Sequence, residues 1–356
     1  MLLYVINGFI RKHGSKIMHY IVTGGSGYIG SHMVALLTSE GHSVSILDNF
    51  SNSSQINLDQ LYKICDKALV SFHKVDLGDT KNLNDVFSTI LSSHDVDGVF
   101  HFAGLKSVGE SSEKPLMYYR NNVGGTLNLL EVMKNHRLYK LVFSSSATVY
   151  GTPNELPINE HHPLSTTNPY GASKLLCEQM LEDIAYREAH WKIGILRYFN
   201  PVGAHESGLI GELPTGTPNN LMPYVFDVAI GKRDFVGVFG DNYDTKDGTG
   251  VRDYIHVQDL VEGHMSTLSY IEENRGVSYF NLGTGIGYSV LDMISATQRL
   301  TGTKVDFRIM PVRSGDVGSV YASTVLAEKL LKWKAKKNLD DMIEDQWRWT
   351  QTLSKL

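Results

Sequence analysis

The sequence predicts an α/β protein, a doubly wound parallel sheet followed by a smaller mixed α/β lobe, and three observations carry that prediction. Short apolar runs alternate with stretches of helical spacing from His19 to Leu196. The first run, His19-Tyr20-Ile21-Val22, leads through the glycine-rich turn Thr23-Gly24-Gly25-Ser26-Gly27-Tyr28-Ile29-Gly30 straight into a helical stretch. Polar residues then gather where the apolar runs end, at Asp48, Asp76, Lys106 and Ser144 to Ser146. Strands alternating with helices give a parallel sheet covered on both faces, whose ligands lie beyond the carboxyl ends of the strands. Such a pattern is that of a Rossmann-type fold.

The glycine turn reads as a pyrophosphate cradle. At Gly24, Gly27 and Gly30 a side chain would clash where the backbone bends sharply and approaches the anion, and the helix that begins near Tyr28 and Ile29 points its unpaired N–H groups and positive dipole end at it. After a stop at Gly41-His42, strand Ser43–Leu47 ends at Asp48. A carboxylate here accepts hydrogen bonds from an adenosine ribose and repels a 2′-phosphate, and no arginine follows it, only Asn49, Phe50, Ser51, Asn52 and Ser53. NAD is therefore expected rather than NADP.

Helix Ile56–Cys65 and strand Leu69–Val75 follow, the strand ending at Asp76-Leu77, where an adenine edge would lie. Next come a helix near Leu83–Leu91, strand Gly98–Gly104, a long helix over about Pro115–Asn135 and strand Lys140–Ser145. After a turn-rich stretch from Gly151 to Pro169, helix Tyr170–Ala189 and strand Lys192–Leu196 resume the rhythm. Beyond Asn200 it loosens, with Pro201, Pro214, Pro218 and Gly248-Thr249-Gly250 in longer loops and a returning strand at Val277–Leu282. The expected division is an extension over 1–17, an NAD-binding domain over 18–200 that also receives elements near 251–283, and a mainly substrate-binding domain over 201–356.

Of 356 residues, 42% are hydrophobic and 20% charged, which suits a soluble globular protein with a sizeable core. The net charge of −5 and the lack of a Lys/Arg cluster argue against nucleic acid, and no apolar run approaches the roughly 20 residues that span a membrane. Cys65 and Cys177 both fall in helix-like stretches and are expected as buried, reduced thiols of a cytoplasmic protein. In the first 17 residues an apolar start precedes Arg11, Lys12, His13 and Lys16, the reverse of a secretory signal. A poorly ordered extension is expected there, with organelle targeting as the alternative and Met18 as the start of the fold.

Proton chemistry is expected from Tyr170-Gly171-Ala172-Ser173-Lys174, which opens a helix after the strand ending at Ser144-Ser145-Ser146. Positions i and i+4 share one helix face, so phenol and ammonium can reach one site. A nearby cation favours the phenolate, and a tyrosine so perturbed can act as a base near neutral pH.

Gly24/Gly27/Gly30, the Ser145-Ser146 strand end and Tyr170/Lys174 resemble the extended short-chain dehydrogenase/reductase family. Longer strings resemble its UDP-glucose 4-epimerase branch: Phe102-Ala103-Gly104-Leu105-Lys106, Ser144 to Gly151, Leu196 to Ala204, Pro218 to Pro223 and Asp247 to Val257. The resemblance covers roughly Met18 to Trp349. It implies that Tyr170, as phenolate, takes the proton of the sugar 4-hydroxyl while tightly bound NAD accepts hydride from C4, that Ser146 hydrogen-bonds the same oxygen, and that Lys174 binds the nicotinamide ribose and lowers the tyrosine pKa. It places Tyr28, Ile29, Asp48, Asn49, Asn52, Ser53, Asp76, Leu77, Lys106, Asn121 and Ser144 around NAD, with Phe102, Ala103, Gly104, Tyr198 and Phe199 lining its pocket. Lys106, Ser146, Tyr170, Asn200, Asn219, Asn220, Leu221, Val238, Phe239, Arg252, Tyr254, Arg313, Asp316 and Val320 would hold the UDP-sugar, the two arginines meeting the diphosphate. A homodimer paired through helices Pro115–Asn135 and Tyr170–Ala189 and a place in galactose metabolism are further implications.

Two other readings compete. A nucleotide-sugar 4,6-dehydratase shares fold, cofactor and Tyr/Lys pair but needs an added acid–base pair, typically Asp-Glu, after the strand-end Ser/Thr; here Ala147-Thr148 stand there. An inactive NAD-binding regulatory protein usually loses the base, which is present. In the family the residue matching Val320 sizes the pocket around the sugar 2-substituent, a tyrosine excluding N-acetyl sugars, so Val320 implies that UDP-N-acetylglucosamine and UDP-N-acetylgalactosamine are also interconverted. Ser323 departs from the Asp or Asn of many relatives. Gly283-Thr284-Gly285-Ile286-Gly287 reads as a connector, His101 and His256 as core histidines without metal-ligand spacing, and Trp347/Trp349 as packing.

Overall fold

The structure, a computed structural model, describes residues 3–6, 9–12, 17–213, 218, 220–313 and 315–355. Seven parallel strands form the central sheet: β1 (His19–Thr23), β2 (Ser43–Asp48), β3 (Val70–Lys74), β4 (Val96–His101), β5 (Lys140–Ser146), β6 (Lys192–Tyr198) and β7 (Gly276–Leu282). Their spatial order is β7-β6-β5-β4-β1-β2-β3. The order reverses between β1 and β4, so the crevice that receives a ligand opens above those two strands.

Burial on both faces explains the apolar runs, since period-2 alternation then sends successive side chains into two different cores. Tyr20 and Val22 of β1 pack with Met33, Val34 and Leu37 of helix Tyr28–Ser39 and with Leu260 and Leu268 of helix Val257–Glu273. Ile21, between them, joins Leu83 and Phe87 of helix Thr80–Leu91, Leu129 and Met133 of helix Gly125–Asn135, and Cys177 and Leu181 of helix Pro169–Arg187. Both cysteines are buried and free.

The expected long helix is one helical path interrupted by a π turn. Pro115–Tyr118 and Gly125–Asn135 are α-helical and Tyr119–Gly124 takes the wider π geometry. A π turn shifts the register of the residues beyond it, and here it aims Asn121 at the crevice while Asn122 turns inward. The Asn122 amide donates to the Leu105 carbonyl and the Ser173 hydroxyl, and its oxygen accepts from the Leu105 N–H. The loop after β4 is thereby tied to the helix that carries Tyr170. β4 itself stops at His101; Phe102 to Gly104, expected as strand, leave the sheet as loop.

Beyond Asn200, strand Val251–His256 pairs in parallel with Asn200–Val202 and Ser319–Val320 and antiparallel with Gly287–Ser289, while Val236–Phe239 pairs with Phe307–Met310. Helices Leu221–Ala229, Val290–Thr301 and Leu339–Leu353 pack a third core with them. Helix Val257–Glu273 and β7 return to the main sheet. Within the extension, Leu3–Ile6 and Phe9–Lys12 pair antiparallel in a two-stranded sheet of their own; Leu2, His13 and Lys16 lie outside the described residues. No helix among the described residues is long and apolar enough to cross a membrane.

Four buried histidines make the fold acid-sensitive. Burial pulls His19 and His264 down to about 4 and His32 and His101 down to about 3. All four stay neutral when folded but bind protons near 6.5 when unfolded, so their contribution is complete above pH 6.5 and is lost as pH falls to about 4 for His19 and His264 and about 3 for His32 and His101, at up to about 1.4 kcal/mol per histidine per pH unit. Denaturant midpoints at pH 7.5, 6 and 5 are expected to fall in that order; a flat series would refute this.

Candidate active site

A single cavity of about 1620 Å³ runs from the β1 turn across the carboxyl ends of the strands into the second lobe. On the cofactor side, Gly24 has φ +68° and lies so close to the β4 loop that a Cβ would sit 2.7 Å from the Ala103 nitrogen. A Cβ on Gly30 would meet the Gly24 carbonyl at 2.1 Å. Only glycine lets turn, helix and β4 loop close up in this way. Helix Tyr28–Ser39 starts without a capping side chain or first-turn acid, which leaves its positive end for an anion. Asp48 ends β2 with its carboxylate fixed by the Ser26 and Phe50 N–H groups and the Ser53 hydroxyl, at 3.1, 2.9 and 2.9 Å. Asn49 donates to Asp76 at 2.8 Å. Ile29, Asn52, Leu77, Phe102, Gly104, Lys106, Asn121, Tyr198 and Phe199 line the same wall. The uncapped helix end and glycine-only cradle fit a pyrophosphate, and Asp48 fits an unphosphorylated ribose.

Beneath the middle of the cavity stand Ser146, Tyr170 and Lys174. Asn168 caps the helix of Tyr170 and Lys174 by accepting from the Gly171 N–H at 2.9 Å, and Pro169 occupies its first turn. Lys174, 6% exposed, donates to the Ser144 carbonyl at 2.7 Å, and burial pulls its ammonium down to about 8. Burial pushes the Tyr170 phenol above its ordinary value and the hydrogen bond to Ser146 works against that. The counterweight in this geometry is thus Ser146 rather than the Lys174 cation, whose Nζ turns to Ser144. The Ser146 oxygen already accepts from the Thr148 N–H and hydroxyl, at 3.2 and 3.0 Å. With both lone pairs engaged, its own proton is left to donate to the Tyr170 oxygen, which favours the phenolate.

The second lobe supplies the far wall: Asn200, Asn220, Leu221, Phe239, Arg252, Tyr254, Arg313, Asp316 and Val320 all line the cavity. Arg313 stacks over Phe239 with 4.4 Å from its guanidinium carbon to the ring centre and bonds Asp316 at 2.8 Å, so its fork is already oriented. Val238 is 1% exposed and packs into the third core, while its neighbour Phe239 lines the cavity. Asn219 lies outside the described residues.

The sequence model of a family described as GDP-mannose 4,6 dehydratase matches residues 21–346. UDP-glucose 4-epimerase 2 of Arabidopsis thaliana is 51% identical over 332 residues, covering 92% of this chain and 94% of that protein. The chain belongs to the UDP-glucose 4-epimerase family. Two solved structures of that family superpose closely: the Stenotrophomonas maltophila enzyme with bound NAD and formylated UDP-arabinopyranose (TM-score 0.91, 46% identity, 95% of this chain and 99% of that one) and the Bifidobacterium longum enzyme in complex with NAD+ and UDP (TM-score 0.90, 49% identity, 94% and 98%).

Several residues that shape this epimerase-family site escaped sequence reading. Glu178 and Arg197, 1% and 3% exposed, form a buried ion pair under it. Ser145 donates to Glu178, Arg197 donates to the Tyr150 hydroxyl at 3.1 Å, and Tyr150 donates to Asn281 at 2.6 Å. The pair locks helix Pro169–Arg187 to β5 and β6. Glu178 falls one turn beyond Lys174 on the face of Tyr170, a spacing that could have singled it out. Glu212 also lines the cavity, bonded to Lys106 and Asn220.

The remaining motifs serve structure. The Thr284 and Gly285 N–H groups donate to the buried Asp253 carboxylate at 2.8 and 2.9 Å, so the Gly283–Gly287 loop is a connector satisfied from within. His101 sits between Thr23 and Thr126, and His256 caps its helix and bonds Asp345. Trp347 packs on Phe226, whereas Trp349 does more than pack: its indole N–H donates to the Glu212 carbonyl.

Proposed function

We propose that this chain interconverts UDP-glucose and UDP-galactose at C4 of the sugar. The supporting observation is that Ser146, Tyr170 and Lys174 line one cavity with the Gly24–Gly30 cradle and the Arg252/Arg313 pair. Bound NAD would supply the chemistry of C4, accepting a hydride from one face of the ring and returning it to the other. Tyr170 takes the 4-hydroxyl proton and later gives it back to the 4-keto oxygen. With substrate bound, the single Ser146 proton turns from the Tyr170 oxygen to that oxygen, and Lys174 holds the nicotinamide ribose. Arg252 and Arg313 hold the diphosphate, and Asn200, Asn220 and Leu221 hold the uridylyl side. Ala147 and Thr148 leave no acid–base pair for dehydration, so the 4-keto sugar is reduced rather than stripped of water.

Val320 lines the cavity and packs against the cluster of Val149, Tyr150, Ile158, Phe199 and Ala322. We read it as admitting an acetamido group. The protein incubated without added cofactor is expected to convert both UDP-galactose and UDP-N-acetylgalactosamine. Val320→Tyr is expected to lower turnover of the acetamido sugar by about tenfold or more while sparing UDP-galactose. Failure with both sugars overturns the function; failure with the second alone overturns the role of Val320.

A homodimer is part of the same proposal. Leu116 and Tyr186 are 78% and 93% exposed, and Leu127 and Leu176 stand in water on the same two helical stretches. An apolar surface of that kind calls for a partner. Light scattering is expected to give twice the chain mass; a monomer would refute the pairing. Its two buried, unpaired thiols suit a reducing cytoplasm.

A further inference from the structure

The segment from Gly203 to Leu213 crosses between the two sides of the cavity, and both of its ends are held by the cofactor side. At one end the Tyr28 hydroxyl, from the first turn of the helix that follows the glycine cradle, donates to the Gly203 carbonyl at 2.6 Å. At the other, one carboxylate oxygen of Glu212 receives Lys106 Nζ at 2.6 Å and the Asn220 amide at 2.7 Å. Lys106 stands on the loop after β4 and Asn220 directly precedes helix Leu221–Ala229 of the second lobe, so a single oxygen joins a residue of the cofactor wall to a residue of the substrate wall.

The segment is braced from behind. Trp349 donates to the Glu212 carbonyl at 3.0 Å and Arg348 to the Glu206 carbonyl at 2.8 Å, both from the C-terminal helix. Gly211 lies so close to the Trp349 indole that a Cβ would sit 2.4 Å from it. Ile210, 3% exposed, inserts into the first core. With its backbone held in this way and its side chain 10% exposed, Glu212 stays where both partners meet it. A carboxylate that faces a cavity meant for phosphates is unfavourable there unless cations and amides engage it, and Lys106 and Asn220 do so.

We propose that Glu212 is a positioning residue that couples the two halves of the site, holding Lys106 for the dinucleotide and Asn220 for the UDP-sugar through one shared oxygen. The inference rests on the function proposed above for the identity of the two ligands. Without Glu212, Lys106 and Asn220 lose a common anchor, so the cofactor is retained less firmly and the UDP moiety binds more weakly, while the Ser146–Tyr170–Lys174 group is untouched.

The test compares the wild-type holoenzyme with Glu212→Gln and Glu212→Ala, measuring NAD retained through gel filtration, UDP affinity by calorimetry, and KM and kcat separately. Glu212→Ala is expected to shed cofactor and weaken UDP binding and raise KM by about tenfold, the scale of a lost charge-assisted hydrogen bond, with kcat within about threefold. Glu212→Gln, which retains an acceptor oxygen of the same shape, is expected to fall between the two. Adding Glu212→Ala to Asn220→Ala is expected to cost no further UDP affinity, because both changes remove one bond. Unchanged cofactor retention and UDP affinity in both variants would overturn the coupling, as would strict additivity with Asn220→Ala. Wild-type protein that binds NAD and UDP without epimerising would instead overturn the proposed function, and the coupling would still be read from the two binding measurements.

Discussion

Replacing Tyr170 with phenylalanine is expected to lower turnover by about 10³-fold while NAD stays bound, since a positioned acid–base group contributes on the order of 10²–10⁴. The phenol lines the same cavity as Ser146, which works against the effect of burial on it. Lys174 is committed to the Ser144 carbonyl at 2.7 Å, and Ser146 is committed as donor by the two bonds it accepts from Thr148. Burial raises the Tyr170 pKa and Ser146 lowers it, so activity rises with pH as the phenolate forms. Ser146→Ala removes the lowering contribution and is expected to move that rise to higher pH. A steady-state assay with cofactor content measured alongside checks both. Unchanged turnover in Tyr170→Phe would remove the role, and a pH profile in Ser146→Ala that moved downward would reverse the electrostatics.

Arg197→Met is expected to destabilise the protein by about 3–5 kcal/mol, because it leaves the Glu178 carboxylate buried without its cation. Burial by itself would lower the guanidinium's pKa, yet the hydrogen bonds and charge of Glu178 override it and hold Arg197 above its usual value. The pair is bidentate, with contacts of 3.1 and 2.7 Å, a geometry that orients as well as binds. Replacing both partners, Glu178→Leu with Arg197→Met, is expected to cost less than Arg197→Met alone, since a buried pair exchanged for apolar volume is often close to neutral. Chemical denaturation of the two single variants and the double variant checks this. Additive losses would mean that the two side chains are not acting on each other. Because the same pair ties helix Pro169–Arg187 to β5 and β6, Arg197→Met is also expected to lower kcat beyond its effect on stability.

The cofactor half of the site was legible because its determinants are local. A strand, three glycines and a helix start form the cradle within Thr23–Gly30, and a carboxylate ending the next strand stands beside it whatever the rest of the chain does. Tyr170 and Lys174 were legible for the same reason, as i and i+4 on one helix meet by helical geometry alone. The second lobe was legible through resemblance, which carried Val238 into the site along with its neighbour Phe239. Only the packing of Val238 into the third core shows that its side chain is buried while Phe239 lines the cavity.

The sequence by itself determined the class of fold, pointed to NAD over its phosphorylated form, and singled out the residues proposed to handle the proton, since each depends on backbone geometry within a few positions. Tertiary structure alone decided the rest. The π turn that turns Asn122 inward toward Leu105 and Ser173, the burial of Glu178 against Arg197, and the meeting of Lys106, Glu212 and Asn220 on one oxygen all join segments far apart in the chain. A polar group finds its partner across such distances only after the apolar cores have brought the segments together. Until then, nothing in the spacing of residues distinguishes Glu212 from a solvated surface acid.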